Sequence, residues 1–217
     1  MSSIEIPAER SYTRGEEVAN TLSAAAGLVV SLGVSPFLMG AALRSPQPWA
    51  AASSAIFLAS VLALYLSSTI YHALPPCRAK HIVRILDHSA IFVLIAGTYT
   101  PFALGPLAES GGPALAIIEW TMAVLGIAFK CAGGIRYKRF SNLIYLCMGW
   151  LGIFWIQPLI ENAGWQGFLW ILAGGVAYTA GIVFYAAKQK TYAHFVWHLF
   201  VFAGSLFHTV AIWRYAI

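Results

Sequence analysis

The chain has 217 residues, of which 59% are apolar and only 10% charged, against roughly 25% charged in an ordinary soluble domain, which excludes a single compact domain in water. A net charge of +5 with no clustered basic groove gives no reason to expect a nucleic-acid partner. Three cysteines without paired spacing, Cys77, Cys131 and Cys147, exclude a disulfide framework and read as packing residues.

Taken in chain order, residues 1–21 are polar, mixed in charge and lack a small-residue cleavage site after a short apolar core, so they read as a cytoplasmic segment and not as a removable signal peptide. Uncharged runs follow at 20–43, 45–77, 88–108, 140–160, 162–187 and 191–213, each long enough for the ~20 residues that cross a bilayer as a helix. A further run, 114–131, carries only Glu119 and Lys130, both read as lying near its ends. The expectation is an all-α integral membrane protein, with residues 22–217 forming one seven-helix transmembrane bundle in a bacterial inner membrane.

Orientation follows from the basic residues, because cytoplasmic loops retain them during insertion. Arg10 and Arg14 precede helix 1, and Arg78, Lys80 and Arg84 sit between helices 2 and 3. Lys130, Arg136, Lys138 and Arg139 lie between helices 4 and 5, and Lys188 and Lys190 between 6 and 7. Of the 13 basic residues only Arg44 and Arg214 fall on the other side, which predicts a cytoplasmic N-terminus and an external C-terminus. Trp49, Trp120, Trp165 and Trp213 gather near the external ends and read as interface anchors.

Against this topology the ionisable groups stand out, since each is costly inside a span. His72 closes helix 2, Asp87 opens helix 3, and His194 and His198 open helix 7, so all four belong to the cytoplasmic leaflet. Residues four apart on a helix share a face, so His194 and His198 can address one ion, with His72 supplying a third nitrogen. Three imidazoles leave one position of a tetrahedral zinc open to water, the arrangement of a catalytic site. Asp87 would be a fourth ligand or the acceptor of that water's proton, and Ser68, one turn before His72, would orient the carboxylate or the water.

Other polar residues allow two readings each. Glu17 and Asn20 either cap helix 1 or reach toward the site. Arg84 either pairs with Asp87 or anchors helix 3 at the headgroups. His208 lies ten residues beyond His198, ~15 Å along a helix, too far to bind the same ion, and reads as a satisfied interior histidine or part of a polar path. His81 and His88 read as interfacial. Pro101 in the stretch 97–101 predicts a kink whose freed carbonyl Thr98 or Tyr99 would satisfy. Gly174, Gly175, Gly181 and the stretch 24–27 predict close helix contacts.

The stretches EEVAN (16–20), SSTIYH (67–72), RILDHSAIFVLIAGTYTPF (84–102) and HFVWHLFVFAGSLFH (194–208) resemble the haemolysin III branch of the progestin and adiponectin receptor superfamily in order, spacing and number of spans. The resemblance implies a zinc ion near the cytoplasmic end of the bundle, held by the histidines that match His72, His194 and His198. It also implies an aspartate close to the metal at Asp87 and a serine completing the motif at Ser68. The wider superfamily is similar to alkaline ceramidases, which suggests hydrolysis of lipid amides or esters. Many bacterial relatives carry a histidine where this chain has Ala24, but that histidine is not among the family's zinc ligands.

Three functions follow from these readings. The first is a zinc-dependent hydrolase of lipid amides or esters, with membrane lipids as its partners. The second is a receptor or regulator of membrane state in which zinc holds helices together. A pore-forming cytolysin is the third, and the chain offers it no amphipathic pore segment. No phosphate-binding, dinucleotide-binding or nucleophile-elbow motif is present.

Overall fold

The computed structural model describes residues 11–217 apart from 135, 136 and 188, and the side chain of Lys138. Arg10, Arg136 and Lys188, all used to orient the chain, lie outside the described residues. Among the described residues seven α-helices occur in the order α1 (Arg14–Ala42), α2 (Ala50–Ala73), α3 (Arg78–Leu104), α4 (Gly112–Cys131), α5 (Lys138–Trp150), α6 (Ile156–Ala186) and α7 (Ala193–Tyr215). A 3-10 segment, Leu151–Trp155, joins α5 to α6, and no strand occurs among the described residues. Among the described residues six helical stretches are long and apolar enough to cross a membrane, the fifth being the run of 48 residues from Arg139 to Ala186.

Helix α1 begins earlier than the first uncharged run, because Thr13 and Glu16 form a capping box. The Thr13 hydroxyl accepts from the Glu16 amide at 3.2 Å and the Glu16 carboxylate accepts from the Thr13 amide at 2.9 Å. Residues 14–21, expected to belong to a polar terminal segment, are therefore helical. Helix α3 also starts early, at Arg78, so His81 lies on a helix and Asp87 sits in its third turn instead of opening it. The exposed Arg78 lets the helix start there while its charge reaches outward, whereas Lys80 turns in to Glu17.

Inside α6 the helical run is interrupted. Gly164 has φ 71° and ψ 167°, a backbone state reserved for glycine. The indole of Trp150 donates to Thr179 Oγ1 at 3.0 Å, although the two lie fourteen and fifteen residues on either side of Gly164. A straight helix would hold them ~40 Å apart, so the chain turns back at Gly164. At the 3-10 segment the Tyr99 hydroxyl donates to Gly149 O and accepts from the Gly152 amide, at 2.9 and 3.0 Å, replacing helical bonds lost there.

Helix α3 is central, packing on α2, α4, α5 and α7, while α1 contacts α2 and α7, and α6 packs on α7. Small residues bring the helices together as expected. A Cβ on Gly27 would stand 2.5 Å from the Tyr65 ring, and one on Gly174 would stand 2.4 Å from His208 Nε2. Gly181 likewise meets Trp197 and Phe200, whereas Gly175 faces open space. The outward faces carry exposed Val29, Phe37, Leu125, Phe154 and Val183, the surface a hydrocarbon solvent demands.

Several sequence expectations take a different form. The freed carbonyl expected at Pro101 is not what the hydroxyls nearby serve: Thr98 donates to Leu94 O, Thr100 to Ala96 O, and Tyr99 reaches across to Gly149. Trp49, Trp165 and Trp213 are exposed, but Trp120 turns inward and donates to Thr100 Oγ1 at 3.1 Å. Lys130 is buried, donating to Ser141 Oγ at 2.6 Å between α4 and α5 instead of occupying a loop. Glu119 lies about two turns inside α4, fully buried, with neither carboxyl oxygen hydrogen-bonded among the described residues.

Candidate metal centre

At one end of the bundle His72 of α2 and His194 and His198 of α7 are buried together. One ring nitrogen from each lies within 4.8 Å of the others, close enough for all three to bind one metal ion. The Nε2 atoms of His72 and His194 are 3.2 Å apart, and the rings of His194 and His198 stand 4.7 Å apart, edge to face. The four-residue spacing on α7 therefore places its two histidines as expected, and α2 supplies the third ring.

The outer nitrogens are held by α1. His72 Nδ1 lies 2.7 Å from Glu17 Oε2, and Lys80 Nζ donates to Glu17 Oε1 at 2.6 Å and to Leu74 O at 2.9 Å. His198 Nδ1 lies 3.2 Å from Asn20 O and 2.9 Å from Ser23 Oγ. A backbone carbonyl only accepts, so the Asn20 contact makes His198 Nδ1 the donor and leaves its Nε2 with a bare lone pair. Glu17 does the same for His72, since an ionised carboxylate also only accepts. Of the two readings, Glu17 reaches toward the site with its carboxylate, whereas Asn20 meets His198 through its backbone carbonyl and its side-chain amide has no hydrogen-bond partner among the described residues. Capping falls to Thr13 and Glu16.

Glu16 also ties this end together, accepting at 3.0 Å from the amide of Tyr192, the residue that precedes α7 with φ 59°. Tyr12 stacks on His194 at 5.3 Å between ring centroids. Glu16, Ser23, Lys80 and Tyr12 were not singled out in the sequence. A signal for two of them existed: Glu16, Asn20 and Ser23 recur at four- and three-residue spacing on one face of an apolar helix.

A long cavity of about 220 Å³ starts at this cluster, lined by Ser68, Asp87, His194 and His198, and runs through apolar residues to Leu107, Leu115 and Phe168 near the other end. Asp87 and Ser68 thus share a wall with two of the histidines. Arg84 borders a separate groove with Glu17, His72 and Lys80. His88 is not interfacial: it is buried on the cavity wall, with Asp87 Oδ2 3.6 Å from its Nδ1 and the Tyr185 hydroxyl 3.2 Å from its Nε2. His81 is exposed, as expected. His208 also lines the cavity, and it is not a fully satisfied interior histidine, because its buried Nδ1 has no hydrogen-bond partner among the described residues.

Fold and site together define a helical, multi-pass membrane protein with a buried three-histidine cluster at the head of an internal apolar cavity. The family described as haemolysin-III related matches residues 12–209, and this chain belongs to it. It is 42% identical over 194 residues to the hemolysin-3 homolog of Bacillus subtilis (strain 168), covering 89% of this chain and 91% of that protein. It is 40% identical over 190 residues to hemolysin-3 of Bacillus cereus, covering 88% and 87%. Monocyte to macrophage differentiation factor of Homo sapiens is 28% identical over 193 residues, covering 83% of this chain and 78% of the human protein.

Proposed function

We propose that the chain is a zinc-dependent hydrolase of lipid amides or esters, one seven-span domain whose N-terminus and metal end face the cytoplasm. The observation that carries this reading is a cluster of three imidazoles, two of which share the wall of a long apolar cavity with the Asp87 carboxylate and the Ser68 hydroxyl. Seven spans are supported by the turn at Gly164, which divides the 48-residue stretch in two. Zinc is supported by the donor set and its spacing. Zn–N bonds of ~2.0–2.1 Å in a tetrahedron put ligand nitrogens about 3.3 Å apart, and His72 and His194 stand at 3.2 Å with their outer nitrogens directed elsewhere or packed on Tyr12. Asn20 adds a polar demand, its buried side-chain amide having no hydrogen-bond partner among the described residues.

When bound, zinc supplies a Lewis acid that polarises a carbonyl oxygen and lowers the pKa of water. The chain's residues do the rest. Asp87 accepts the proton of the attacking water and delivers it to the leaving amine or alcohol. Ser68, on the same cavity wall, orients the carboxylate or the water by hydrogen bonding. Glu17 and Asn20 fix the tautomers of His72 and His198, and the apolar cavity receives the acyl chain while excluding bulk water.

Elemental analysis of purified protein tests the metal, with about one zinc per chain expected and its loss expected in a His194→Ala/His198→Ala variant. Asp87→Asn should keep the zinc and lose at least ~100-fold in turnover of a lipid amide or ester, the size of a general-base contribution. An unchanged rate in that variant removes the base role. Bound zinc without product from any lipid amide or ester, together with a fall in thermal stability on chelation, would favour a receptor or regulator in which the metal holds α2 and α7 together.

A further inference from the structure

Partway along the cavity, away from the histidine cluster, a second polar group interrupts its apolar wall. Tyr65 of α2, Tyr178 of α6 and His208 of α7 all line the cavity, and Ser205 joins them. Ser205 Oγ donates to Val201 O at 2.9 Å, so its hydrogen is committed and its oxygen accepts from the hydroxyls of Tyr65 and Tyr178, each at 3.0 Å. Both tyrosine hydrogens are thereby used, and both tyrosine oxygens keep acceptor capacity. The His208 ring stacks on Tyr178 at 5.5 Å and 23°, and its Nδ1 is buried with no hydrogen-bond partner among the described residues.

A buried imidazole nitrogen without a hydrogen bond is costly, and in a membrane interior no bulk water offsets that cost. Nor is the ring there by default. A Cβ on Gly174 would stand 2.4 Å from His208 Nε2, so α6 is shaped to admit the imidazole at this depth. In its neutral form the ring offers one N–H donor and one bare nitrogen, beside two tyrosine oxygens that can only accept. A ligand carbonyl would engage the donor alone. A hydroxyl both accepts and donates, so it can take the ring N–H and give its one hydrogen to a tyrosine oxygen.

We propose that His208, Tyr178 and Tyr65 form a subsite for a hydroxyl group carried along the apolar chain of a lipid whose head lies at the histidine cluster. The substrate class is then a hydroxylated acyl chain, its hydroxyl ~15 Å from the metal end by the ten-residue rise from His198 to His208. This rests on the reading of the cavity as the lipid-binding site.

The test is displacement of a fluorescent fatty acid from the purified full chain by octadecanoic acid and by the isomeric hydroxyoctadecanoic acids bearing one hydroxyl at successive carbons. At least one mid-chain isomer should displace the probe at about tenfold lower concentration than octadecanoic acid, the value of one well-placed hydrogen bond. His208→Phe should abolish that preference while octadecanoic acid still binds within about twofold of wild type. Tyr178→Phe, which keeps the ring and removes one acceptor, should reduce the preference and serves where His208→Phe does not fold. No preferred isomer in the wild type, or a preference that survives in the folded variants, overturns the subsite and leaves the lipid site standing. Failure of every acid, hydroxylated or not, to displace the probe overturns both.

Discussion

Glu17 serves two partners with one carboxylate. One oxygen holds His72 Nδ1 at 2.7 Å and the other receives Lys80 at 2.6 Å, so the group that fixes the ring's tautomer is itself fixed by a cation on α3. Glu17→Gln removes the charge while preserving the shape, and a side-chain amide can present N–H to His72 instead of a carboxylate oxygen. The variant should bind zinc about 10–100-fold more weakly by competition with a chelator, with the helical content unchanged. An unaltered affinity would mean that His72 is positioned by packing alone. The three histidines were legible in the sequence because metal ligation restricts residue type and because a spacing of four on α7 puts two of them on one face. The contacts around them were not. Ser23 meets His198 and Glu16 meets Tyr192 across 175 and 176 positions, and nothing in local periodicity encodes which helices become neighbours. Of the two readings of His208, the satisfied interior one fails for a related reason: depth along a helix can be counted from sequence, but whether a ring finds a partner cannot.

Among the elements, two glycines show different constraints. Gly27 has an ordinary helical backbone but no room, since a Cβ there would meet the Tyr65 ring at 2.5 Å. Gly164 has open space around it and a backbone state of φ 71°, ψ 167°. Gly164→Ala should therefore destabilise the protein by about 1–3 kcal/mol through strain alone, while leaving contacts along α5 and α6 intact. Gly27→Ala should cost a similar ~1–3 kcal/mol by pushing α1 from α2, and it should also weaken metal binding, because α1 carries Glu17 and Asn20. Thermal unfolding of both variants, followed by zinc titration, separates the two: equal loss of metal affinity would contradict the assignment of Gly164 to a turn remote from the site. Uncharged runs located the helices well, and the break at Gly164 inside α6 falls close to the gap between the runs 140–160 and 162–187, whereas the starts of α1 and α3 were missed. There the capping box of Thr13 and Glu16, and an Arg78 side chain long enough to reach outward, carry helix beyond the apolar stretch.

For the whole molecule, the side of the membrane on which the histidine cluster lies decides what chemistry it can serve. Basic residues gather at the end that holds the cluster. Arg14 opens α1, Arg78 and Lys80 open α3, Arg139 lies in the first turn of α5 and Lys190 precedes α7, while Arg44 and Arg214 lie at the ends of α1 and α7 that point away. Retention of positive charge in the cytoplasm would put the cluster in the inner leaflet. Two exposed cysteines report on this directly: Cys77 just precedes α3, five residues beyond His72, and Cys131 ends α4 at the same end of the bundle. A membrane-impermeant maleimide should leave both unmodified in intact cells and label both in inverted vesicles, with Cys147→Ser used to remove the third thiol. Labelling in intact cells would reverse the orientation and open the metal site to the exterior. Labelling of one cysteine from each side would break the alternation of helices on which seven spans depend. The expected pattern, by contrast, places the Asp87 end of the cavity where lipids of the cytoplasmic leaflet present their linkages just beneath the headgroups, with the apolar cavity leading inward to receive the chain.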